Sequence, residues 1–422
     1  MISPIEDSEY YGLRLSVFDH NLALPRHRWY DFKEGFSECL VLEAIRKQGR
    51  KGYRFRLLDP FVGSGTTLVT AGRHGLHATG VEVNPFLAFA SKAKCTPNGW
   101  RQGSFQRRLA RIIRNSRSDK TSYLEGLSTF TERKGIESWL FNRSVLRGFS
   151  AIDDALQEAG GYRSALRLAL FGSLMECCNA KRDGKCLRYR KDWTALGFTS
   201  ADLREAFERR AQLVFEDVNQ HGFSQDGLQL VTGDARTELR RLESQSHDLV
   251  VTSPPYLNSF DYSDVYRPEM FVGRFVRSNK ELQRVRRKTI RSHVQVSWEP
   301  VRRVMSPLLY PVLTQMKKRQ LWDDRLPDMI LSYFFDLSAV FVELKRILKR
   351  GGQAWVVIST SAYGGVEIPV DLILADVAAR GGWKLHGVYV LRQLRSAGQQ
   401  WSRLKKQAKH PLRESLIILE RC

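Results

Sequence analysis

Short apolar runs alternate with glycine breaks and amphipathic stretches along the chain, and this pattern predicts strands separated by helices. The N-terminal part predicts strands at 56–59 and 78–82 and a helix at 86–95. The central part predicts strands at 228–232 and 248–252. The C-terminal part predicts helices at 331–349 and 369–379 and strands at 353–358, 383–391 and 415–420. Because alternating strands and helices form parallel sheets, the pattern predicts an α/β fold with a mainly parallel, doubly wound sheet.

Two insertions interrupt this pattern. Residues 96–227 predict a helical insertion, with helices at 104–114, 135–155, 162–180 and 200–218. Residues 257–327 predict a second insertion, which becomes densely basic, and 392–409 predict a basic, hairpin-like excursion. The chain is thereby divided into five consecutive parts: 1–95, 96–227, 228–256, 257–327 and 328–422.

The tetrapeptide Ser253-Pro254-Pro255-Tyr256 follows the strand predicted at 248–252. Two consecutive prolines fix two φ angles and remove two backbone donors, so the loop presents carbonyl oxygens without flexing. Fixed acceptors beside the aromatic ring of Tyr256 suit a planar amino group, such as the exocyclic amine of a nucleobase. The alternative interpretation is a proline-rich strand exit with a core tyrosine, and the tetrapeptide by itself leaves both open.

A glycine loop lies between the first predicted strand and the helix that follows it. Gly63 and Gly65 allow a tight turn close to a ligand. The next predicted strand ends at Glu82, where a carboxylate accepts both hydroxyls of a ribose in nucleotide-binding folds. The alternative is a tight strand-to-helix turn with a surface glutamate. The glycine spacing matches neither the phosphate-binding nor the dinucleotide pattern, so a ribose-containing cofactor without phosphates fits best.

The composition of the chain predicts a polyanionic partner. The 422 residues carry a formal net charge of +22, and 42% of them are hydrophobic. Such a chain folds and is strongly basic, which indicates binding to DNA or RNA. Its six cysteines show no zinc-binding spacing, and no metal is expected. The sequence shows neither a signal peptide nor an apolar run of membrane-spanning length, so a cytoplasmic, nucleoid-associated protein without membrane contact is expected.

The segment from Asp59 to Thr67, Asp-Pro-Phe-Val-Gly-Ser-Gly-Thr-Thr, together with Thr252–Tyr256, resembles the S-adenosylmethionine-dependent DNA amino-methyltransferases. Those enzymes methylate cytosine N4 or adenine N6. The resemblance covers roughly residues 20–95 and 228–422 and implies a Rossmann-like class I methyltransferase fold. It makes 1–95, 228–256 and 328–422 parts of one methyltransferase core. The cofactor motif precedes the catalytic motif here, whereas many relatives have the reverse order.

The resemblance also implies roles for individual residues. The cofactor S-adenosylmethionine would be bound by Asp59, Pro60, Phe61, Gly63, Ser64, Gly65, Thr66, Glu82, Asn84 and Asp234. Within this set Glu82 would hold the ribose, and Asp234 would lie near the adenine. The catalytic residues would be Ser253, Pro254, Pro255 and Tyr256. The segment 25–30, followed by Phe36 and Ser37, resembles the N-terminal motif that closes over the cofactor.

Contacts with double-stranded DNA are expected mainly from the basic insertion, because it leaves directly from the catalytic loop. The candidate DNA-binding residues are Arg284, Arg286, Arg287, Lys288, Lys181 and Arg182. The last two lie in a basic loop that is either a phosphate clamp or a solvated linker. Asp261 and Tyr262 form either the far wall of a base pocket or a turn with a core tyrosine. Glu269 is expected to be structural and to pair with a neighbouring arginine.

The favoured function is a site-specific DNA cytosine-N4 methyltransferase in restriction–modification or a related defence context, with a cognate restriction endonuclease as a candidate partner. Within the resembled family, serine at the position of Ser253 favours cytosine N4, and Asp or Asn favours adenine N6. The chain contains no Pro-Cys dipeptide, which argues against the covalent route of cytosine C5-methyltransferases. The alternatives are an adenine-N6 methyltransferase, an RNA amino-methyltransferase, and a non-catalytic nucleic-acid-binding protein on the same scaffold.

Overall fold

The computed structural model describes residues 15, 17–32, 34–49, 55–117, 120–183, 186–220, 222–394 and 412–422. Its strands are β1 (Arg56–Asp59), β2 (His77–Glu82), β3 (Ala180–Asp183), β4 (Cys186–Tyr189), β5 (Leu228–Thr232), β6 (His247–Thr252), β7 (Leu348–Ser359), β8 (Ser361–Tyr363), β9 (Val366–Ile368), β10 (Trp383–Gln393) and β11 (Arg413–Arg421).

The helices connect the strands and fill the two insertions. They are α1 (Glu38–Gln48), α2 (Thr66–Arg73), α3 (Pro85–Lys94), α4 (Gln102–Asn115), α5 (Arg143–Ala155), α6 (Arg163–Glu176), α7 (Ser200–Gln220), α8 (Ala235–Glu238), α9 (Tyr262–Val265), α10 (Arg267–Val272), α11 (Asn279–Arg287), α12 (Leu309–Met316), α13 (Leu326–Ile347) and α14 (Val370–Arg380). Short 3-10 helices cover Phe18–Ala23, His27–Trp29, Leu156–Tyr162, Trp193–Ala195 and Leu239–Arg241. None of the described helices is long and apolar enough to cross a membrane.

Seven strands form one sheet in the order β10-β11-β7-β6-β1-β2-β5. The neighbours from β5 to β7 pair in parallel, whereas β11 is antiparallel to both β7 and β10. The chain proceeds outward from β1 to β2 and β5, and then returns to place β6 on the other side of β1. The predicted Rossmann-like class I methyltransferase fold, with a mainly parallel doubly wound sheet, is confirmed.

The order of the strands explains how two distant motifs come together. Leu57 on β1 pairs with Leu249 on β6, and Leu58 pairs with Val250. The loops that follow these two strands therefore leave the same edge of the sheet side by side. This is the point at which the strand order reverses, and ligands of open α/β sheets bind there.

The two central strands are buried on both faces. Leu58 and Val250 pack into the hydrophobic cluster that contains α13 and α14, and Leu57 and Leu249 pack into the cluster on the opposite face with α1 and α2. All four side chains are fully buried. Apolar residues at consecutive positions suit such a strand, because each face of the sheet is covered by helices.

The helical insertion differs from its prediction in two places. The helix predicted at 135–155 begins only at Arg143, and the helix predicted at 162–180 ends at Glu176. The basic loop predicted after it is a hairpin, since β3 pairs antiparallel with β4 in register from Ala180 to Asp183. The predicted loop is therefore wrong: exposure alternates along β3, from buried Ala180 through exposed Lys181 and half-buried Arg182 to exposed Asp183, as it does along a half-exposed strand.

The helical insertion also packs directly against the core. The ring of Phe86 on α3 lies 5.1 Å from that of Phe171 on α6, and both belong to one hydrophobic cluster. At the other end of the chain, helix α13 begins at Leu326, earlier than predicted, and β7 extends from Leu348 to Ser359. The short hairpin of β8 and β9 was not predicted. The basic excursion predicted at 392–409 lies almost entirely outside the described residues, which resume at 412.

Candidate active site

The glycine loop and the Ser253–Tyr256 loop face each other across one cleft, which is partly open to solvent. Eleven of the fourteen predicted cofactor-binding and catalytic residues line it: Pro60, Phe61, Gly63, Thr66, Glu82, Asn84, Asp234, Ser253, Pro254, Pro255 and Tyr256. The three that do not are Asp59, Ser64 and Gly65.

Two glycines of the loop are required by its geometry. Gly63 has a φ of +54°, and a Cβ there would lie 2.8 Å from the ring of Phe32. Gly65 has a φ of +95°, and a Cβ there would lie 2.5 Å from the Ser91 hydroxyl. Any other residue at either position would be strained and would displace a neighbour. The two glycines therefore let the chain turn sharply into helix α2.

Asp59 joins the loops instead of facing the cleft. Its carboxylate accepts hydrogen bonds from the hydroxyls of Thr67, at 2.8 Å, and Thr252, at 2.7 Å, and from the backbone N–H of Phe61, at 3.1 Å. Burial raises the pKa of Asp59 to about 6, and these hydrogen bonds oppose that rise. Asp59 does not line the cleft, and its predicted contact with the cofactor stays a prediction.

Ser64 also lies behind the cleft. Its side chain is buried and accepts a hydrogen bond of 3.4 Å from the ammonium group of Lys94. Burial lowers the pKa of Lys94 to about 7. Ser64 and Gly65 thus shape the loop from behind, and their predicted cofactor contacts are not made through side chains that line the cleft.

Glu82 lies at the end of β2, beneath the glycine loop. One carboxylate oxygen accepts from the backbone N–H of Gly63 at 2.9 Å, and the other accepts from the N–H of Asn84 at 2.8 Å. Burial raises the pKa of Glu82 to about 7. Each oxygen keeps a second acceptor position, so the carboxylate remains able to receive two hydroxyl donors from a ribose.

Asn84 provides an independent test of whether a nucleoside fits. Its side-chain oxygen caps helix α3 by accepting from the N–H of Phe86 at 3.0 Å. Its side-chain Nδ2 is buried and has no hydrogen-bond partner among the described residues. A buried donor without a partner costs about 1–3 kcal/mol, so a ligand that supplies an acceptor is favoured here. The donors and acceptors present fit a ribose-containing cofactor.

Asp234 also lines the cleft, between the end of β5 and the start of α8. Its carboxylate caps α8 by accepting from the N–H of Arg236 at 2.9 Å, and it also binds the guanidinium group of Arg236 at 2.7 Å. Arg236 binds Asp336 at 2.8 Å as well. The position of Asp234 beside the strand end is therefore fixed by an ion-pair network.

The catalytic loop is held by residues from the C-terminal part of the chain. The Tyr256 hydroxyl donates to Glu414 at 2.7 Å, and it lies 3.4 Å from the Ser253 hydroxyl, which donates to it. Glu414 is buried and pairs with Arg392 at 2.8 Å. Tyr333 donates to the carbonyl of Pro255 at 2.9 Å. These supports carry no local sequence signal, because they lie on β10, β11 and α13, far from the motif.

Residues that follow the catalytic loop form the far wall of the cleft. Tyr262 lines the cleft, together with the neighbouring Ser263 and with Lys288 and His293 from the basic insertion. Asp261 is buried and caps α9 by accepting from the N–H of Ser263 at 2.9 Å. Tyr262 thus lines the cleft and Asp261 forms the turn before α9, while a role of Tyr262 as the wall of a base pocket stays a prediction.

The N-terminal segment approaches the same cleft. Phe32, Glu34, Gly35 and Phe36 line it. The preceding residues are anchored on α7, where Asp217 accepts from the Trp29 indole at 2.8 Å and from the Arg28 guanidinium at 2.5 Å. Of the two parts of the predicted closing motif, only the second, at Phe36, reaches the cleft. The residues between the two parts were missed.

Two of the predicted DNA-binding arginines form ion pairs with buried carboxylates. Arg286 is largely buried and pairs with Asp261 at 2.5 Å. Arg182 is also largely buried. It pairs with Glu269, donates a hydrogen bond of 2.7 Å to the Tyr30 hydroxyl, and its guanidinium carbon lies 4.5 Å from the centre of the Tyr266 ring. Each guanidinium is already paired with a buried carboxylate, so a phosphate would have to compete with that ion pair, and the predicted phosphate contacts of these two residues stay predictions.

The other candidates are available to a polyanion. Arg284, Arg287, Lys288 and Lys181 are exposed, and Lys288 also lines the cleft. Glu269 is buried and pairs with an arginine as predicted, but the partner is the distant Arg182 of β3 and not a neighbour in sequence. Among the described residues, no group of three or more His, Cys, Asp or Glu side chains is arranged to hold a metal ion.

The sequence is similar to those of known proteins over most of the chain. The Type II methyltransferase M.AvaI of Nostoc sp. is 25% identical over an alignment of 418 residues. The alignment covers 91% of this chain and 84% of that protein. M.BsoBI of Geobacillus stearothermophilus is 24% identical over 99% of this chain and 90% of its own length. M.MvaI of Kocuria varians is 21% identical over 91% of this chain and 87% of its own length. No family model matches the chain. The chain is thus similar to Type II methyltransferases over at least 91% of its length.

Proposed function

We propose that the protein is a site-specific DNA methyltransferase that transfers a methyl group from S-adenosylmethionine to the exocyclic N4 of cytosine. The observation that carries the proposal is the single cleft in which Ser253–Tyr256 faces the glycine loop and Glu82. The Type II methyltransferases that resemble the chain support DNA methylation in restriction–modification, for which a cognate endonuclease is the proposed partner. The net charge of +22 supports a nucleic-acid substrate.

The cofactor half of the cleft is assigned to S-adenosylmethionine. Glu82 would accept the ribose hydroxyls, Asn84 and Asp234 would contact the adenosine, and Phe61 and Gly63 would flank the methionine. When bound, this cofactor supplies an electrophilic methyl group. No phosphate-binding pattern is needed, in agreement with the glycine spacing of the loop.

The base half of the cleft is assigned to an extruded cytosine. The exocyclic amine is inaccessible inside a duplex, so the nucleotide must leave the stack. The ring of Tyr256 then stacks on the base, which stabilises it by about 1–3 kcal/mol. Glu414 restrains this ring through the Tyr256 hydroxyl. Tyr262 lies on the far wall of the same space.

Ser253 and the Pro254 carbonyl accept hydrogen bonds from the amino group. Accepting both hydrogens turns the nitrogen lone pair out of the base plane and toward the methyl donor. In a direct transfer the amine nitrogen would bond to the methyl group as the bond from that group to the cofactor sulfur breaks, and one amine proton would pass to solvent. Catalysis then rests on the positions of the two substrates, not on a covalent enzyme intermediate. The rigid prolines suit this task because they fix the acceptors before the base arrives.

The assignment of cytosine N4 is tested by nucleoside mass spectrometry of DNA that has been incubated with the protein and S-adenosylmethionine. The expected product is N4-methylcytosine, absent when a Ser253→Ala variant replaces the wild type. N6-methyladenine would instead assign adenine as the target base. Methyl label found only in RNA would overturn the DNA substrate, and no labelled nucleic acid at all would overturn the enzyme.

A further inference from the structure

A second cavity adjoins the catalytic cleft on the side of the basic insertion. It has a volume of about 370 Å³, is partly open to solvent, and lies between the end of α11, the segment that follows it, and Arg236. Thr289 and His293 line both the cavity and the catalytic cleft, so these two residues form a shared wall. The Thr289 hydroxyl lies 3.3 Å from Nε2 of His293, which is almost completely buried.

Four arginines line this cavity, and three of them are held by carboxylates. Asp336 binds Arg236 at 2.8 Å and Arg291 at 2.6 Å, and Asp261 binds Arg286 at 2.5 Å. These pairs fix the guanidinium groups and largely neutralise them. The fourth, Arg287, is exposed, and the exposed Lys288 follows it directly at the mouth of the neighbouring cleft. The uncompensated positive charge therefore lies where the two spaces meet.

Trp298, which lines the cavity, carries a buried hydrogen-bond donor. The indole N–H of Trp298 is buried and has no partner among the described residues. A tryptophan N–H donates only, so the missing partner must be an acceptor. Because Arg287 lines the same cavity, an anionic ligand there would offer acceptors for this donor and for the guanidinium group, and hydrogen bonds to charged groups are worth more than neutral ones.

We propose that this second cavity binds a DNA phosphate that flanks the extruded nucleotide, with Arg287 and Trp298 as its contacts. The inference rests on the proposed function. An extruded base keeps its backbone phosphates within one nucleotide, so a base in the cleft carries a phosphate across the wall formed by Thr289 and His293. The ligand is thus a phosphodiester group of the duplex, bound next to the reacting base but not in contact with the reacting atoms.

The test removes the charge from one phosphate at a time. Sequencing of modified DNA locates the target nucleotide, and duplexes are then made with a neutral methylphosphonate at each neighbouring phosphate. The wild type is expected to lose about tenfold in affinity at one flanking position. Arg287→Ala is expected to bind the natural and the neutral duplex equally at that position. Trp298→Phe, which keeps a ring but loses the N–H, is expected to lose part of the discrimination while its cofactor affinity is unchanged.

Lys280→Ala is the matched control, because Lys280 is an exposed cation at the opposite end of α11 that lines neither space. It is expected to keep the full discrimination. Discrimination that persists in Arg287→Ala, or that disappears equally in Lys280→Ala, would overturn the inference. Saturable binding of inorganic phosphate to the wild type that Arg287→Ala abolishes, without any effect of methylphosphonates, would assign the cavity to a free anion instead.

A second measurement does not depend on knowing the target. Arg287→Ala is expected to reduce the slope of log Kd against log salt by about 0.9 on duplex DNA, as the removal of one phosphate interaction does. An unchanged slope would overturn the inference even if the wild type methylates DNA. Failure of the proposed function is seen separately, as a wild-type protein that modifies no base.

Discussion

The hydroxyl of Thr252 donates a hydrogen bond of 2.7 Å to the carboxylate of Asp59, and this contact joins the end of β6 to the end of β1. The same carboxylate accepts from Thr67 at the start of α2. Asp59 therefore sets the spacing between the glycine loop and the catalytic loop. Because methyl transfer depends on the alignment of two substrates held by these loops, Asp59 acts on catalysis through position.

Asp59→Asn is expected to fold and to lose about 10- to 100-fold in kcat/KM for methyl transfer. The amide has one acceptor oxygen where the carboxylate has two, and a lost buried hydrogen bond costs about 1–3 kcal/mol. Steady-state methylation assays measure the change. Thr67→Val is the control: it removes the other hydroxyl but leaves the link between Asp59 and Thr252, so it should affect stability more than rate. Wild-type activity in Asp59→Asn would contradict the role assigned here.

Ser253→Ala and Tyr256→Ala are expected to lose methyl transfer and to keep their affinity for the cofactor, whereas Glu82→Ala weakens cofactor binding. Ser253 and Tyr256 line the proposed base half of the cleft, and Glu82 lies beneath the glycine loop. Isothermal titration calorimetry with S-adenosylmethionine separates the two effects. If both loop variants stay folded and fail to bind the cofactor, this division of roles is wrong.

Tyr256→Phe tests the restraint on the aromatic ring. The variant keeps a stacking surface but loses the hydrogen bond to Glu414. We expect kcat to fall about tenfold while DNA affinity changes little, because a hydrogen bond to a charged group contributes about 1.5–3 kcal/mol. Single-turnover methylation measures the rate, and 2-aminopurine fluorescence at the target position reports extrusion of the base.

Glu414→Gln is the matched variant for this test. Its amide oxygen still accepts from Tyr256, but the ion pair with Arg392 is lost. A rate close to that of the wild type is expected if the restraint on Tyr256 is what matters. An unchanged kcat in Tyr256→Phe would show that the hydroxyl contributes nothing to transfer.

The pH dependence of cofactor binding should follow Glu82. Burial raises its pKa to about 7, so the carboxyl is mostly protonated near pH 6 and ionises as the pH rises. The ionised form accepts hydroxyl donors better, and cofactor affinity is therefore expected to rise roughly tenfold from pH 6 to pH 8. The folded free protein holds this proton more tightly than the unfolded chain, so the contribution of Glu82 to stability is fully present below its ordinary pKa of 4.5 and is lost as the pH rises to about 7. Glu82→Gln should bind weakly and show no such dependence.

The sheet was predictable because its signals are local. The runs around Leu57 and Val250 are apolar at consecutive positions, and each is followed directly by its motif. The partners that complete the site were not predictable in this way. Glu414 meets Tyr256 only because β11 lies beside β7 in the sheet, and Thr252 meets Asp59 only because β6 pairs with β1. Such contacts depend on strand order, which no local pattern contains.

In the basic insertion, the sequence likewise did not reveal which arginines face solvent. A run of arginines predicts a surface for phosphates, but it does not distinguish arginines that face solvent from those that face a buried carboxylate. Arg286 lies between the exposed Arg284 and Arg287 in sequence, yet its side chain pairs with Asp261. The helical periodicity of α11 separates them, since Arg286 occupies the face that packs against α9.

Arg286→Ala is therefore expected to destabilise the fold and not to act primarily on DNA binding. Removal of the guanidinium leaves the buried carboxylate of Asp261 without its ion-pair partner, and breaking such a pair costs about 3–5 kcal/mol. Chemical unfolding measures the decrease in stability. The double variant Asp261→Ala with Arg286→Ala should recover part of the stability, because no uncompensated charge remains.

Arg284→Ala with Arg287→Ala should keep the wild-type stability and flatten the salt dependence of DNA binding by about 0.9 for each phosphate that is no longer neutralised. An Arg286→Ala variant as stable as the wild type, with the same decrease in DNA affinity as the exposed pair, would return Arg286 to the DNA surface.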